Sequence, residues 1–167
     1  VVMKFMAEHS AAGMAGLDWR LVLNSGTRHF DLSKEQIARM GKPKLDAILA
    51  ETGKQAASSF QYLYENYPVT DLAGAGKLDS PHLRAIHELM NGAGVRGFLQ
   101  EVTGRASDFC DMQATRYSAG HFLTVHDDDA GPAKNRKLAS VLSLTEGWSP
   151  AWGGQLQFLD GNGGVSA

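Results

Sequence analysis

The chain has 167 residues, long enough for one domain with a sizeable core. Hydrophobic residues make up 43% and charged residues 20%, which excludes a disordered composition. The 16 Lys and Arg against 18 Asp and Glu give a net charge of −2, so a chain-wide basic footprint for nucleic acid is excluded, and the single cysteine, Cys110, excludes an internal disulfide and a thiolate zinc cluster. No apolar run approaches the roughly 20 residues of a membrane helix. Val1 to Gly16 is interrupted by Lys4, Glu8 and His9, unlike a signal peptide. The expectation is a cytoplasmic protein with no membrane and no nucleic-acid partner. The first residue is Val1 and the last ones, Gly161 to Ala167, are small, which suggests a piece trimmed from a longer product.

Leu17, Trp19, Leu21 and Leu23 alternate with more polar neighbours and predict a half-buried strand ended by Ser25-Gly26. Asp31 or Ser33 then caps a helix, with Gln36 in the capping-box position after Ser33. Gly41-Lys42-Pro43 breaks that helix, and Pro43 opens the next. The spacing of Leu45, Ile48, Leu49, Thr52, Ala56, Phe60, Leu63 and Tyr67 predicts one long amphipathic helix stopped by Tyr67-Pro68. Residues 70–79 read as a loop. Ser80-Pro81 caps a further helix, Asn91-Gly92 ends it, and a short helix follows from Val95 to Val102.

From Asp111 onward the periodicity changes to two. Asp111–Tyr117, His121–Val125, Lys137–Thr145 and Gln155–Leu159 are predicted strands. Helices first and strands later give an α+β class in a single domain over residues 1–167. Residues 1–105 supply mainly helical support and residues 106–167 the first part of a β core.

The candidate site is His126-Asp127-Asp128. An imidazole and a carboxylate two apart on a strand end project to the same side and suit two adjacent positions on a divalent metal. The pattern is weak alone, and it recurs at His29-Phe30-Asp31, where a helix cap is the simpler reading. An EF-hand beginning at Asp127 fails, because Pro132 and Leu138 stand where Gly and Glu are required. Asp127 and Asp129 read as solvated turn residues, His121 as an ordinary strand residue, and His82 and His87 as helix-surface or capping groups. Cys110 reads as a small buried hydrophobe, and Trp148 and Trp152 as packing residues. Arg116 and Arg136 are candidates for neutralising acidic residues near the site. Tyr62, Tyr64 and Tyr67 are expected on the long helix.

Context distinguishes His126. Before it runs Arg116-Tyr117-Ser118-Ala119-Gly120-His121-Phe122-Leu123-Thr124-Val125. After it come Arg136, the apolar run Leu138–Leu144, Trp148, Trp152, Gly153-Gly154 and Gln155-Leu156-Gln157-Phe158. Over about residues 110–160 this arrangement resembles the prolyl-hydroxylase-type branch of the Fe(II)/2-oxoglutarate-dependent dioxygenases. The resemblance implies a double-stranded β-helix, or jelly roll, with N-terminal helices packed on one face. It implies His126 and Asp128 as the first two iron ligands, and Tyr117 as a hydrogen-bond partner of 2-oxoglutarate, with O2 as the second co-substrate. Gly153 and Gly154 would mark a crowded strand start. The family's third ligand, a His, and its Arg or Lys for the distal carboxylate lie further C-terminal. This sequence has no His after His126 and no Arg or Lys after Lys137, so both are expected beyond Ala167, with the last strands.

The resulting expectation is hydroxylation of a prolyl or similar residue of a protein or peptide, a ribosomal protein being one candidate, with release of succinate and CO2. Ascorbate binding is part of the same implied set. Two alternatives stay open: a non-catalytic jelly-roll module that binds a protein, and a cupin-like metal oxygenase acting on a small molecule.

Overall fold

A computed structural model describes residues 13–14, 16–126, 136, 138–145 and 147–166. Strands β1 (Arg20–Ser25) and β2 (Arg28–Leu32) form an antiparallel hairpin in which Leu23 faces Phe30 and Leu21 faces Leu32. Gly26 turns the chain with φ +61°, a conformation that a Cβ disfavours. Helix α1 (Lys34–Met40) opens on a complete capping box. The Ser33 hydroxyl accepts from the Gln36 N–H, and the Gln36 side chain accepts from the Ser33 N–H. Helix α2 (Lys42–Gln55) carries Pro43 in its first turn. Strand β3 (Tyr62–Tyr67) follows, then helices α3 (Val69–Gly74), α4 (Pro81–Asn91) and α5 (Ala93–Thr103), strands β4 (Ala114–Arg116) and β5 (Phe122–Leu123), and a 3-10 turn at Pro150–Trp152.

The described residues form an antiparallel five-stranded sheet in an α+β arrangement. Its order is β2-β1-β3-β4, with β5 also paired to β3. β3 gives one edge to β1 and the other to two short strands in turn. β5 lies along its first half (Tyr62↔Leu123, Leu63↔Phe122) and β4 along its second (Glu65↔Arg116, Tyr67↔Ala114).

Two apolar clusters hold this sheet. Leu23, Leu32 and Leu63 are buried together, packed by Ile37, Met40, Leu45, Ile48 and Leu49 from α1 and α2 and by Phe122. Leu17, Trp19, Tyr67, Val69, Leu78, Leu83, Ile86 and Ala114 form the second, where α4 supplies its apolar stripe. Thr52 is wholly buried and shares its hydroxyl between the carbonyls of Ile48 and Asn24, which joins α2 to β1.

Several expectations are corrected. The helix begun at Lys42 stops at Gln55, and the Tyr62–Tyr67 segment is the central strand instead of the helix's continuation. The positions Leu63 and Tyr67 are four apart, a separation that keeps one face on a strand as it does on a helix, and the aromatic alternation decides for the strand. Tyr62, Tyr64 and Tyr67 therefore lie on β3. Residues 70–79 contain most of α3. His29-Phe30-Asp31 lies within β2, so Asp31 is no cap and Ser33 caps alone. The predicted strand Lys137–Thr145 has no strand among its described residues, and Gln155–Leu159 contributes only an isolated bridge, Leu159↔Val165. Neither run buries a residue: Val141, Leu156 and Phe158 are exposed, because no described element packs against them.

Leu23 has no exposed surface and sits where both strand neighbours and both helices meet. Leu23→Ala is expected to destabilise the fold by about 2–5 kcal/mol, read as a lower urea midpoint at unchanged slope.

Candidate functional site

The strand register sorts the side chains of the sheet between its two faces. Leu21, Leu23, Phe30, Leu63, Glu65 and Phe122 share the face under α1 and α2, since directly paired residues project together. Arg20, Val22, Asn24, His29, Asp31, Tyr62 and Tyr64 share the other.

On that second face runs a connected row of rings. Tyr117 stacks on Tyr64 at 5.4 Å between centroids and 30° between planes. Tyr64 meets Tyr62 at 5.7 Å, Tyr62 meets Phe60 at 5.6 Å, and Phe60 meets His126 at 5.5 Å. His29 closes the β2 side, its Nδ1 lying 2.6 Å from the Tyr62 hydroxyl. The structure thus joins Tyr117 and His126 through three intervening rings on one surface. Asp128 lies outside the described residues, as do Asp127 and Asp129.

Both site residues follow short strands that are pinned to β3. Thr124 extends the β5 pairing: its N–H donates to the Gln61 carbonyl, and its hydroxyl accepts from the Gln61 N–H while also donating to the Gln61 carbonyl. The Thr124 carbonyl in turn lies 2.9 Å from His126 Nδ1. A carbonyl only accepts, so Nδ1 carries a proton, and in the neutral ring the lone pair is then on Nε2. That tautomer suits a neutral imidazole that ligates a metal through Nε2, with its other nitrogen oriented by the backbone. His126 is also exposed.

Tyr117 comes directly after β4. Arg116 makes two hydrogen bonds to Glu65, at 2.6 and 2.7 Å, and covers the Trp19 ring at 4.7 Å. The Arg116 hydrogen bond holds the Glu65 carboxyl below its usual range. The Tyr117 phenol is pushed up to about 12, chiefly by burial and then by the adjacent Tyr64. At neutral pH it therefore keeps its proton and can donate it in a hydrogen bond to an anion. Arg116 serves Glu65 on the helix-bearing face, so it does not neutralise the site as expected; Arg136 is exposed.

Other predicted residues fall elsewhere. His121 Nδ1 accepts from the Ser118 N–H in the turn before β5, and the residue lines a groove on the helix side with Leu21, Leu49, Gly120 and Phe122. His82 and His87 lie on α4. Cys110 is half-buried, with burial raising its thiol, and its backbone is clamped by the Asn91 side chain. Trp152 is 69% exposed and packs no core, while the Trp148 indole N–H donates to the Gly153 carbonyl. Gly153 and Gly154 have φ of +73° and +75°, yet a Cβ at either would meet nothing within 4 Å. Backbone conformation, and not crowding, is what calls for glycine there.

The sequence pattern did not single out Phe60, Asn24 or Thr124. Asn24 donates to the Phe60 carbonyl and accepts from the Tyr62 N–H, fixing the start of β3 against β1. The alternation of Tyr62-Leu63-Tyr64 is the signal that could have placed the rings on a strand. Among the described residues no three His, Cys, Asp or Glu side chains converge to hold a metal.

Residues 112–166 match the family model of the 2OG-Fe(II) oxygenase superfamily, a stretch that includes both Tyr117 and His126. The match supports a general 2-oxoglutarate- and iron-dependent oxygenase function, and the antiparallel α+β architecture is compatible with such a fold. Neither the curated proteins nor the solved structures yield a match. No described helix is long and apolar enough to cross a membrane.

The Glu65–Arg116 pair gives a signed pH prediction. Because the folded carboxyl titrates below its ordinary 4.5, its stabilisation is complete above that value and is lost as pH falls through the folded value. Glu65→Gln should therefore be less stable than the parent at pH 7, with the gap narrowing as pH is lowered below 4.5, as measured by urea midpoints across pH.

Proposed function

We propose that this chain is a prolyl-hydroxylase-type 2-oxoglutarate-dependent dioxygenase acting on a prolyl or similar residue of a protein or peptide. The double-stranded β-helix is the proposed architecture, and the ring-lined sheet face is its inner wall. The observation that carries the reading is the placement of Tyr117 and His126 on that one face, within a segment that matches the superfamily.

The donor chemistry of His126 fits iron. Its proton is held at Nδ1 by the Thr124 carbonyl, which puts the ligating lone pair on Nε2. His126 and Asp128 would hold Fe(II). When bound, the metal with its 2-oxoglutarate co-substrate supplies the oxidising power that inserts one oxygen atom of O2 into a C–H bond, leaving succinate and CO2.

The chain's own residues do the rest. Tyr117, protonated at neutral pH, donates to a carboxylate oxygen of 2-oxoglutarate and fixes its orientation. Phe60 and Tyr62 form an apolar floor beside His126, where substrate packing excludes water. An extended prolyl segment suits that floor, because a proline ring presents apolar surface without an N–H to satisfy. A cytoplasmic location and a protein partner such as a ribosomal protein belong to the same proposal, as does ascorbate as a reductant.

The test is anaerobic titration of the full-length chain with Fe(II) and 2-oxoglutarate, followed by the visible charge-transfer band of the ternary complex and, in air, by succinate release. The wild type is expected to give both signals. His126→Ala should lose both, and Tyr117→Phe should raise the 2-oxoglutarate needed for half-saturation by roughly tenfold or more, the loss of one hydrogen bond to a charged group. An undiminished band in His126→Ala would overturn the assignment. Prolyl peptides that gain one oxygen atom by mass would establish the substrate class, and turnover of a small metabolite alone would refute it.

A further inference from the structure

Tyr117 stands at the point where the chain leaves the sheet. β4 ends at Arg116, and Ser118 to His121 form a turn closed by the His121 N–H on the Ser118 carbonyl before β5 begins. No strand pairing fixes the Tyr117 backbone, so the orientation of its phenol must come from side-chain contacts. The Tyr64 ring provides one, stacked at 5.4 Å and 30°.

Tyr64 is well built to be the fixed partner. It lies in the middle of β3, paired to Val22 of β1, with β5 and β4 attached to the other edge on either side of it. Its ring is flanked by Tyr62 at 5.7 Å. Burial raises its phenol. One ring of the stack is thus anchored by the sheet, and the other hangs from a turn.

We propose that Tyr64 is a positioning residue whose ring holds the Tyr117 phenol in the orientation that donates to 2-oxoglutarate. This rests on the assignment of Tyr117 to 2-oxoglutarate. The role belongs to the ring face, which makes the stack, and not to the Tyr64 hydroxyl.

The experiment is the same anaerobic 2-oxoglutarate titration of the Fe(II)-loaded full-length chain, run on Tyr64→Phe, Tyr64→Leu, Tyr117→Phe and the double variant Tyr64→Leu/Tyr117→Phe. Tyr64→Phe keeps the stack and should stay within about twofold of wild type. Tyr64→Leu should weaken 2-oxoglutarate by roughly three- to tenfold, the worth of one aromatic pair. In the Tyr117→Phe background the same change should have little further effect, because the hydroxyl being oriented is already gone. Tyr64→Val, a strand-favouring replacement, substitutes for Tyr64→Leu if the latter does not fold.

The outcomes separate two failures. A wild type with no 2-oxoglutarate-dependent band, or a Tyr117→Phe variant that binds like wild type, refutes the parent assignment and takes this inference with it. A weakened Tyr117→Phe beside an unchanged Tyr64→Leu refutes the inference alone. So does a double variant whose losses simply multiply, since that would mean Tyr64 acts without Tyr117.

Discussion

The organisation of this protein depends on the two-sided character of β3. Its alternate residues Leu63 and Tyr67 enter the two apolar clusters, while Tyr62 and Tyr64 point the other way. Pairing on both edges fixes this partition, because a slip of one residue would send the tyrosines into the helix layer and Leu63 out of it. The burial of Leu63 against Leu23 and Leu32 therefore holds more than the core. It sets the face on which the rings stand, and through them the surface that joins Tyr117 to His126.

The two site residues are carried by strands too short to be stable by themselves. β4 has three residues and β5 two, and both hang on the same edge of β3. Each has a side-chain pin at its attachment: Arg116 on Glu65 for β4, and Thr124 on Gln61 for β5. The pins sit immediately before the functional groups, Tyr117 next to Arg116 and His126 two residues beyond Thr124. This is a common division of labour, in which loops carry the chemistry and a rigid scaffold aims them. Tyr117 and His126 are both exposed, as residues that follow the last paired positions of short edge strands are.

How far the sequence could be read follows from which signals are local. The Ser33–Gln36 capping box, Pro43 and the Ser80 cap involve neighbours in the chain, and the structure realises each of them. The helix from Val95 to Val102 and the strand ended by Ser25-Gly26 were legible for the same reason. The segment from Phe60 to Tyr67 was not, because a four-residue apolar spacing satisfies both periods and only pairing with distant β1, β4 and β5 selects the strand. Of the candidate site, the extended motif singles out Tyr117 and His126 as residues of interest, and the ring row that connects them was not legible. Phe60, Tyr62 and Tyr64 lie more than fifty residues away from Tyr117 or His126 in sequence, and nothing local announces that they share a face with them. The runs around Val141 and Leu156–Phe158 show the opposite case. Their alternation is a strand signal, but a strand needs a partner, and none is supplied by the described residues.

The two His-x-Asp matches show why the motif alone could not locate a site. His29 and Asp31 lie on the same face of β2, the arrangement that a metal pair requires. Each is already engaged. Asp31 accepts from Arg20 Nε at 2.6 Å, and the Arg20 guanidinium also reaches the Asp31 carbonyl. His29 Nδ1 is bound to the Tyr62 hydroxyl, a side-chain partner that can give or take the proton and so leaves the imidazole tautomer undetermined. His126 differs in the kind of partner it has. A backbone carbonyl can only accept, so it fixes a proton on Nδ1. At His29 a metal would have to displace an ion pair and reset a tautomer. At His126 the backbone carbonyl decides which nitrogen carries a proton, and that difference in hydrogen-bond partner is what distinguishes two occurrences of the same three letters.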